Sequence, residues 1–122
     1  MREILFRGKR RDTGEWSYGS LQCFKGYSIF DTIGKNFITV NSKTVGQYTG
    51  LKDKNGMMIF EGDIVKTVEG PFKVVCEHGA FWLYDELLLS NDHLDFLGAY
   101  KTEVIEVIGN IYDNPELLEV DK

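Results

Sequence analysis

Glu103-Val104-Ile105-Glu106-Val107-Ile108-Gly109-Asn110-Ile111-Tyr112 is the stretch that decides the fold class of this 122-residue chain. Its apolar positions 104, 105, 107, 108, 111 and 112 fit a helical stripe as well as a buried strand, so periodicity alone leaves both open. Composition decides for a strand. Val104, Ile105, Val107 and Ile108 make a β-branched run, and Gly109-Asn110 costs a helix interior more than a bulged strand.

Upstream of this segment the signals are of the same kind. Ala80 to Tyr84 and Phe72 to Glu77 read as a hairpin turning at His78-Gly79, with Gly70-Pro71 breaking the chain before it. Glu61-Gly62-Asp63 is a turn feeding Ile64-Val65-Lys66, and Asp53-Lys54-Asn55-Gly56 is a turn before Met57 to Phe60. Tyr27 to Phe30 and Asn36 to Val40 flank Gly34-Lys35. In the opening hairpin, Ile4 and Phe6 alternate with Leu5 and Arg7, the chain turns at Arg11-Asp12-Thr13-Gly14, and Trp16, Tyr18 and Ser20 return. Helix is left with two short places. Asn114-Pro115-Glu116-Leu117-Leu118 carries a capping Asn and Pro at the first helical position, and Asp92 to Leu97 is the other. Many short strands without a fixed-period repeat predict a mainly β protein, a small twisted barrel with strand-rich extensions.

Fourteen Lys and Arg against nineteen Asp and Glu leave a net charge of −5, unevenly spread. Residues 1–54 carry ten basic and five acidic side chains, and 55–122 carry four and fourteen. A basic segment of this size is marginal alone, so the expectation is one compact unit over 1–122, with residues 1–56 packed on a core formed by 57–122. Two cysteines, Cys23 and Cys76, make no disulfide framework and fit a reducing compartment. Met1-Arg2-Glu3 and the basic run from Arg7 lack the apolar region of a secretory signal. The longest apolar run is Ala80 to Tyr84, far short of the roughly 20 residues of a spanning helix. No membrane association and a cytoplasmic location are therefore expected.

Four stretches together resemble the YopX-like proteins of bacteriophages and prophages. They are Ile4 to Lys9 with Gly14-Glu15-Trp16 and Tyr18-Gly19, Val45 to Asp53, Ile59 to Val65, and Ile105 to Leu118. The resemblance keeps order and spacing over nearly the full length. It implies a mainly β fold with an SH3-like barrel in residues 57–122 and an origin in a mobile genetic element, and it carries over no catalytic or binding residue.

Cys76 and His78 share a face of one strand, but a closed zinc site needs four ligands, and Cys23 and His93 show no paired spacing. A thiol beside Val74 and Val75 reads as an inert core residue. Asp53-Lys54-Asn55-Gly56 has the letters of a calcium loop, yet its register puts Leu51 and Gly62 at ligand places. Gly46 and Gly50 match no phosphate loop. Glu61 and Asp63 read as a turn in which Asp bonds its own backbone, without the third group a small hydrolase requires.

The cluster Arg7, Lys9, Arg10 and Arg11, with Arg2 and the aromatics Phe6, Trp16 and Tyr18, is the best candidate binding surface. It has the cations and rings of a nucleic-acid module. Against that reading stand the net negative charge and a strand period that buries Phe6, Trp16 and Tyr18 together as core. The favoured expectation is a non-enzymatic module without metal or cofactor, acting as a homo-oligomer or on a phage or host protein partner. Nucleic acid is the alternative.

Overall fold

The computed structural model describes residues 5–23, 26–31, 35–67, 70–77, 79–84, 95–96 and 104–118. Its described residues form eleven strands and short helical turns, without an α-helix. The protein is mainly β, in two antiparallel sheets, neither of which closes on itself. The chain divides into two compact units, 1–50 and 51–122.

The first unit holds β1 (Phe6–Lys9), β2 (Trp16–Gln22), β3 (Ser28–Asp31), β4 (Asn36–Thr39) and most of β5 (Gly46–Lys52). The opening hairpin forms as its turn residues predict. Arg10 N–H donates to the Glu15 carbonyl at 2.8 Å, and Gly14, at φ +77°, donates to the Arg10 carbonyl at 2.9 Å. The sheet order is β4-β3-β2-β1-β5, and the far end of β4 returns to β1 through a bridge between Arg10 and Val40. A helical turn at Ser42–Thr44 locks this return: Lys9 N–H donates to the Thr44 hydroxyl at 2.8 Å, and Asn41 N–H donates to the Lys9 carbonyl at 2.8 Å. Ile29, Val40 and Tyr48 are its buried apolar residues. β5 itself carries two glycines and no clean alternation, so its strand character rests on pairing with its neighbours.

Across Gly50, β5 runs into the second unit, where β6 (Met58–Phe60) lies beside it. The second sheet has the order β10-β9-β8-β7-β11, built from β7 (Asp63–Thr67), β8 (Gly70–Glu77), β9 (Ala80–Tyr84), β10 (Asp95–Phe96) and β11 (Glu106–Asn110). Ile59, Val65, Phe72, Val74, Leu83 and Ile105 form its core. The closing segment is a strand, with its bulge between Val107 and Gly109. Pro115–Leu118 is the expected helical turn.

Two expectations fail in this unit. Gly70-Pro71 is the start of β8, paired with Thr67 and Lys66, because Pro is tolerated at the beginning of a strand. The helix expected from Asp92 to Leu97 is replaced at Asp95 and Phe96 by a strand pairing with Leu83 and Trp82; the rest of that segment lies outside the described residues. A six-residue stretch is too short to be helical on propensity alone, and the open edge of β9 supplies backbone partners.

Gly109 is the tightest position of the bulge. A Cβ there would lie 2.6 Å from Asn114 Oδ1 and 2.9 Å from Leu117 Cδ1. Gly109→Ala is expected to cost about 1–3 kcal/mol, through displacement of the Asn114 side chain that accepts from Asn110 N–H. Gly79→Ala, at φ +76° with open space around it, should cost only about 1 kcal/mol. Urea unfolding of the two variants against the parent checks the order.

Candidate functional site

Cross-strand register decides which hairpin residues meet. Arg7 pairs with Tyr18 and Lys9 with Trp16, whereas Phe6 pairs with Gly19 and Gly8 with Ser17. Residues directly opposite one another share a face, so Arg7, Lys9, Trp16 and Tyr18 stand on one side and Phe6, Gly8, Ser17 and Gly19 on the other. The second face is the inner one. Its small residues admit Val40, which a Cβ on Gly8 would meet at 3.0 Å. Phe6, Trp16 and Tyr18 are therefore not one core cluster as the period-two reading had it, and Tyr18 is 44% exposed.

On the outer face the cations are arranged around the indole. The Arg7 guanidinium lies 4.4 Å from the Trp16 ring centroid and Lys9 Nζ 5.5 Å from it. Arg7 is buried despite its charge. Arg10 is held by Asp12 through two parallel bonds, Nε to Oδ1 and Nη2 to Oδ2, each 2.9 Å. That bond raises the Arg10 pKa, Glu15 and Asp31 acting in the same direction, and it holds the Asp12 carboxyl below its ordinary range. The pair is solvent-exposed, so it orients Arg10 more than it stabilises the fold. The Arg11 side chain is exposed, while its N–H donates to the Thr39 carbonyl at 3.1 Å.

Two hollows flank Arg10. One, of about 250 Å³, is lined by Glu15, Trp16, Tyr18 and Asp31; the other, of about 460 Å³, by Arg11, Asp12, Asn36, Phe37 and Thr39. Phe37 is 64% exposed, its ring tilted against Phe30 with centroids 4.9 Å apart. Of the six hairpin residues expected from sequence, Arg10, Arg11, Trp16 and Tyr18 line these hollows and Arg7 and Lys9 do not; Phe37 and Asp31, which sequence reasoning did not name, line them too. The signal for Phe37 was its place opposite Phe30 across β3 and β4.

The family profile described as YopX protein matches residues 5–119. The chain belongs to the YopX family. The crystal structure of protein EF1440 from Enterococcus faecalis is similar at a TM-score of 0.60 and 26% identity, covering 98% of this chain and 100% of that one. No curated protein matches. Among the described residues of this YopX family member, no helix is long and apolar enough to cross a membrane.

Cys76 is exposed where an inert core thiol was expected, because β8 runs past the core after Val74. Partial desolvation of its sulfur, with Glu61 adding to the effect, raises the thiol above its ordinary range and keeps it protonated at neutral pH. Cys23 is exposed, and His78, His93 and Arg2 lie outside the described residues. No group of three or more His, Cys, Asp or Glu gathers to hold a metal ion among the described residues. Asp63 is buried and accepts from Phe60 N–H at 2.7 Å across the Glu61-Gly62 turn, as expected of a turn aspartate.

Asp53 accepts three backbone N–H groups. Oδ1 takes Asn55 at 2.8 Å and Met57 at 2.9 Å, and Oδ2 takes Val107 at 2.9 Å. Burial pushes its pKa up, but the three bonds outweigh this and hold it below the usual carboxylate range. A depressed folded pKa contributes stability that is present above the unfolded value of about 3.9 and is lost as pH falls through the lower folded value. Asp53→Asn is expected to cost about 1–3 kcal/mol at neutral pH, since an amide turns one acceptor into a donor facing an N–H. In urea unfolding followed from pH 7 into the acid range, the gap between parent and variant should close below about pH 4.

Proposed function

We propose that this YopX family member is a non-enzymatic protein-binding or self-associating module, an accessory protein of a phage or prophage, that works through the outer face of β1 to β4. The observation that carries the reading is the pairing of cations on that face. Arg10 is matched by Asp12 with Glu15 and Asp31 acting on it, and Arg7 is buried against Trp16, while Tyr18 and Phe37 stand open to solvent. A phosphate-binding groove needs cations free to neutralise phosphates. Exposed Tyr and Phe beside oriented Arg suit a protein interface, where aromatic and Arg side chains act as anchors.

The finer reading of residues 57–122 as an SH3-like barrel belongs to this proposal. Its support is a five-stranded antiparallel sheet in the order β10-β9-β8-β7-β11, whose last strand carries the kind of bulge that bends a sheet toward closure. Nucleic-acid binding is the second reading, favoured by the convergence of Arg7, Lys9, Trp16 and Tyr18 on one face.

The test is a salt titration with a labelled single strand alongside capture of a protein partner, parent against Tyr18→Ala. A protein module gives little oligonucleotide binding and loses roughly tenfold or more in partner affinity on removal of Tyr18. Oligonucleotide affinity that falls steeply between about 50 and 200 mM salt, with a slope reduced by Arg11→Ala, would overturn it.

A further inference from the structure

The sign of charge changes at the boundary between the two structural units. Residues 1–50 carry eight basic and four acidic side chains, and residues 51–122 carry six and fifteen. The larger hollow lies in the basic unit. Of the two arginines in its wall, Arg10 is matched by Asp12, and Arg11 has no carboxylate partner among the described residues. Asn36, Phe37 and Thr39 of β4 line the same hollow as Arg11, and Phe30 backs the Phe37 ring. A guanidinium and an amide next to an apolar ring recognise a carboxylate carried beside apolar or methylene-rich surface. The ring is already held in place, so little side-chain freedom is lost on docking.

Resting on the protein-binding reading above, we propose that this hollow takes an acidic surface of the second unit of another copy of the same chain. Charge complementarity selects the occupant, because the chain itself carries a strongly acidic unit in equal number to every basic hollow. Phe37 is 64% exposed at this hollow, which leaves its ring accessible to an incoming surface. Two different surfaces meet in the contact, so it forms either reciprocally in a two-fold dimer or head-to-tail in a ring or open chain, and in each case it grows with concentration.

Sedimentation velocity on the full chain over a concentration series, at about 50 and about 500 mM salt, tests this. Mass should rise with concentration at low salt and fall toward the monomer at high salt. Arg11→Glu and Phe37→Ala should each weaken association by about tenfold or more, whereas Lys43→Glu, an exposed charge change outside the hollow, should not. Unchanged thermal midpoints show that the variants fold. A chain that stays monomeric throughout, or association equally sensitive to Lys43→Glu, overturns the inference. If the chain stays monomeric but captures a foreign protein through Tyr18 and Phe37, self-association fails and the protein-binding reading stands. If it is monomeric and binds the single strand through Arg11, both fail.

Discussion

The second unit depends on one carboxylate. Asp53 sits in a turn, yet one of its oxygens reaches a backbone N–H 54 residues further on, at Val107 in β11. β11 pairs with β7 along one edge, and its other edge would leave backbone groups exposed. The turn supplies the missing partners. Asp53 accepts the Val107 N–H, and Lys54 donates its N–H to the Ile105 carbonyl at 3.0 Å, so an irregular loop stands in for a twelfth strand. Because Ile105 is fully buried in the core between these two bonds, the turn also sets where the closing segment enters the hydrophobic cluster.

That arrangement gives two of the chain's acidic residues a structural use. Asp53 and Asp63 accept backbone N–H groups, Asp63 that of Phe60 through Oδ2 and Asp53 those of Asn55 and Met57 in its own turn and of Val107 in β11. A carboxylate saturated by backbone donors is a poor base and a poor metal ligand, since its lone pairs already point at hydrogens. The likeness of Asp53-Lys54-Asn55-Gly56 to a calcium loop follows from the same physics, because both uses ask for short oxygen-bearing side chains and a Gly at positive φ; here Gly56 is at +80°.

What the sequence disclosed, it disclosed through turns and β-branched runs. Gly14, Gly79 and the closing Val and Ile residues were legible because local chemistry and final structure agree there. β5 and β10 were not, since their strand character is imposed by neighbouring edges and absent from their own letters. The hairpin failed in a different way. Its hydropathy marks Phe6, Trp16 and Tyr18 as core, but the register makes Gly8, Ser17 and Gly19 the inner residues, filled from outside by Val40 and Ile29. No scale flags a glycine as the buried residue of an amphipathic strand, so the face carrying the aromatics was assigned inward.

Once glycines form the inner face, the outer face follows by necessity. Strand alternation sends Arg7, Lys9, Trp16 and Tyr18 outward together, and pairing across β3 and β4 adds Phe30 and Phe37 to the same surface. Concentrating rings and cations on one face carries a risk of unspecific association, which the chain restrains by tying charges down: Arg10 to Asp12, Arg7 and Lys9 to the indole. At the larger hollow the groups open to a partner include the Arg11 side chain and the Phe37 ring, which packs on Phe30. Under the self-association proposed above, a copy that presents a negative charge beside apolar surface gains from both groups at once, and one that presents only one of them gains less.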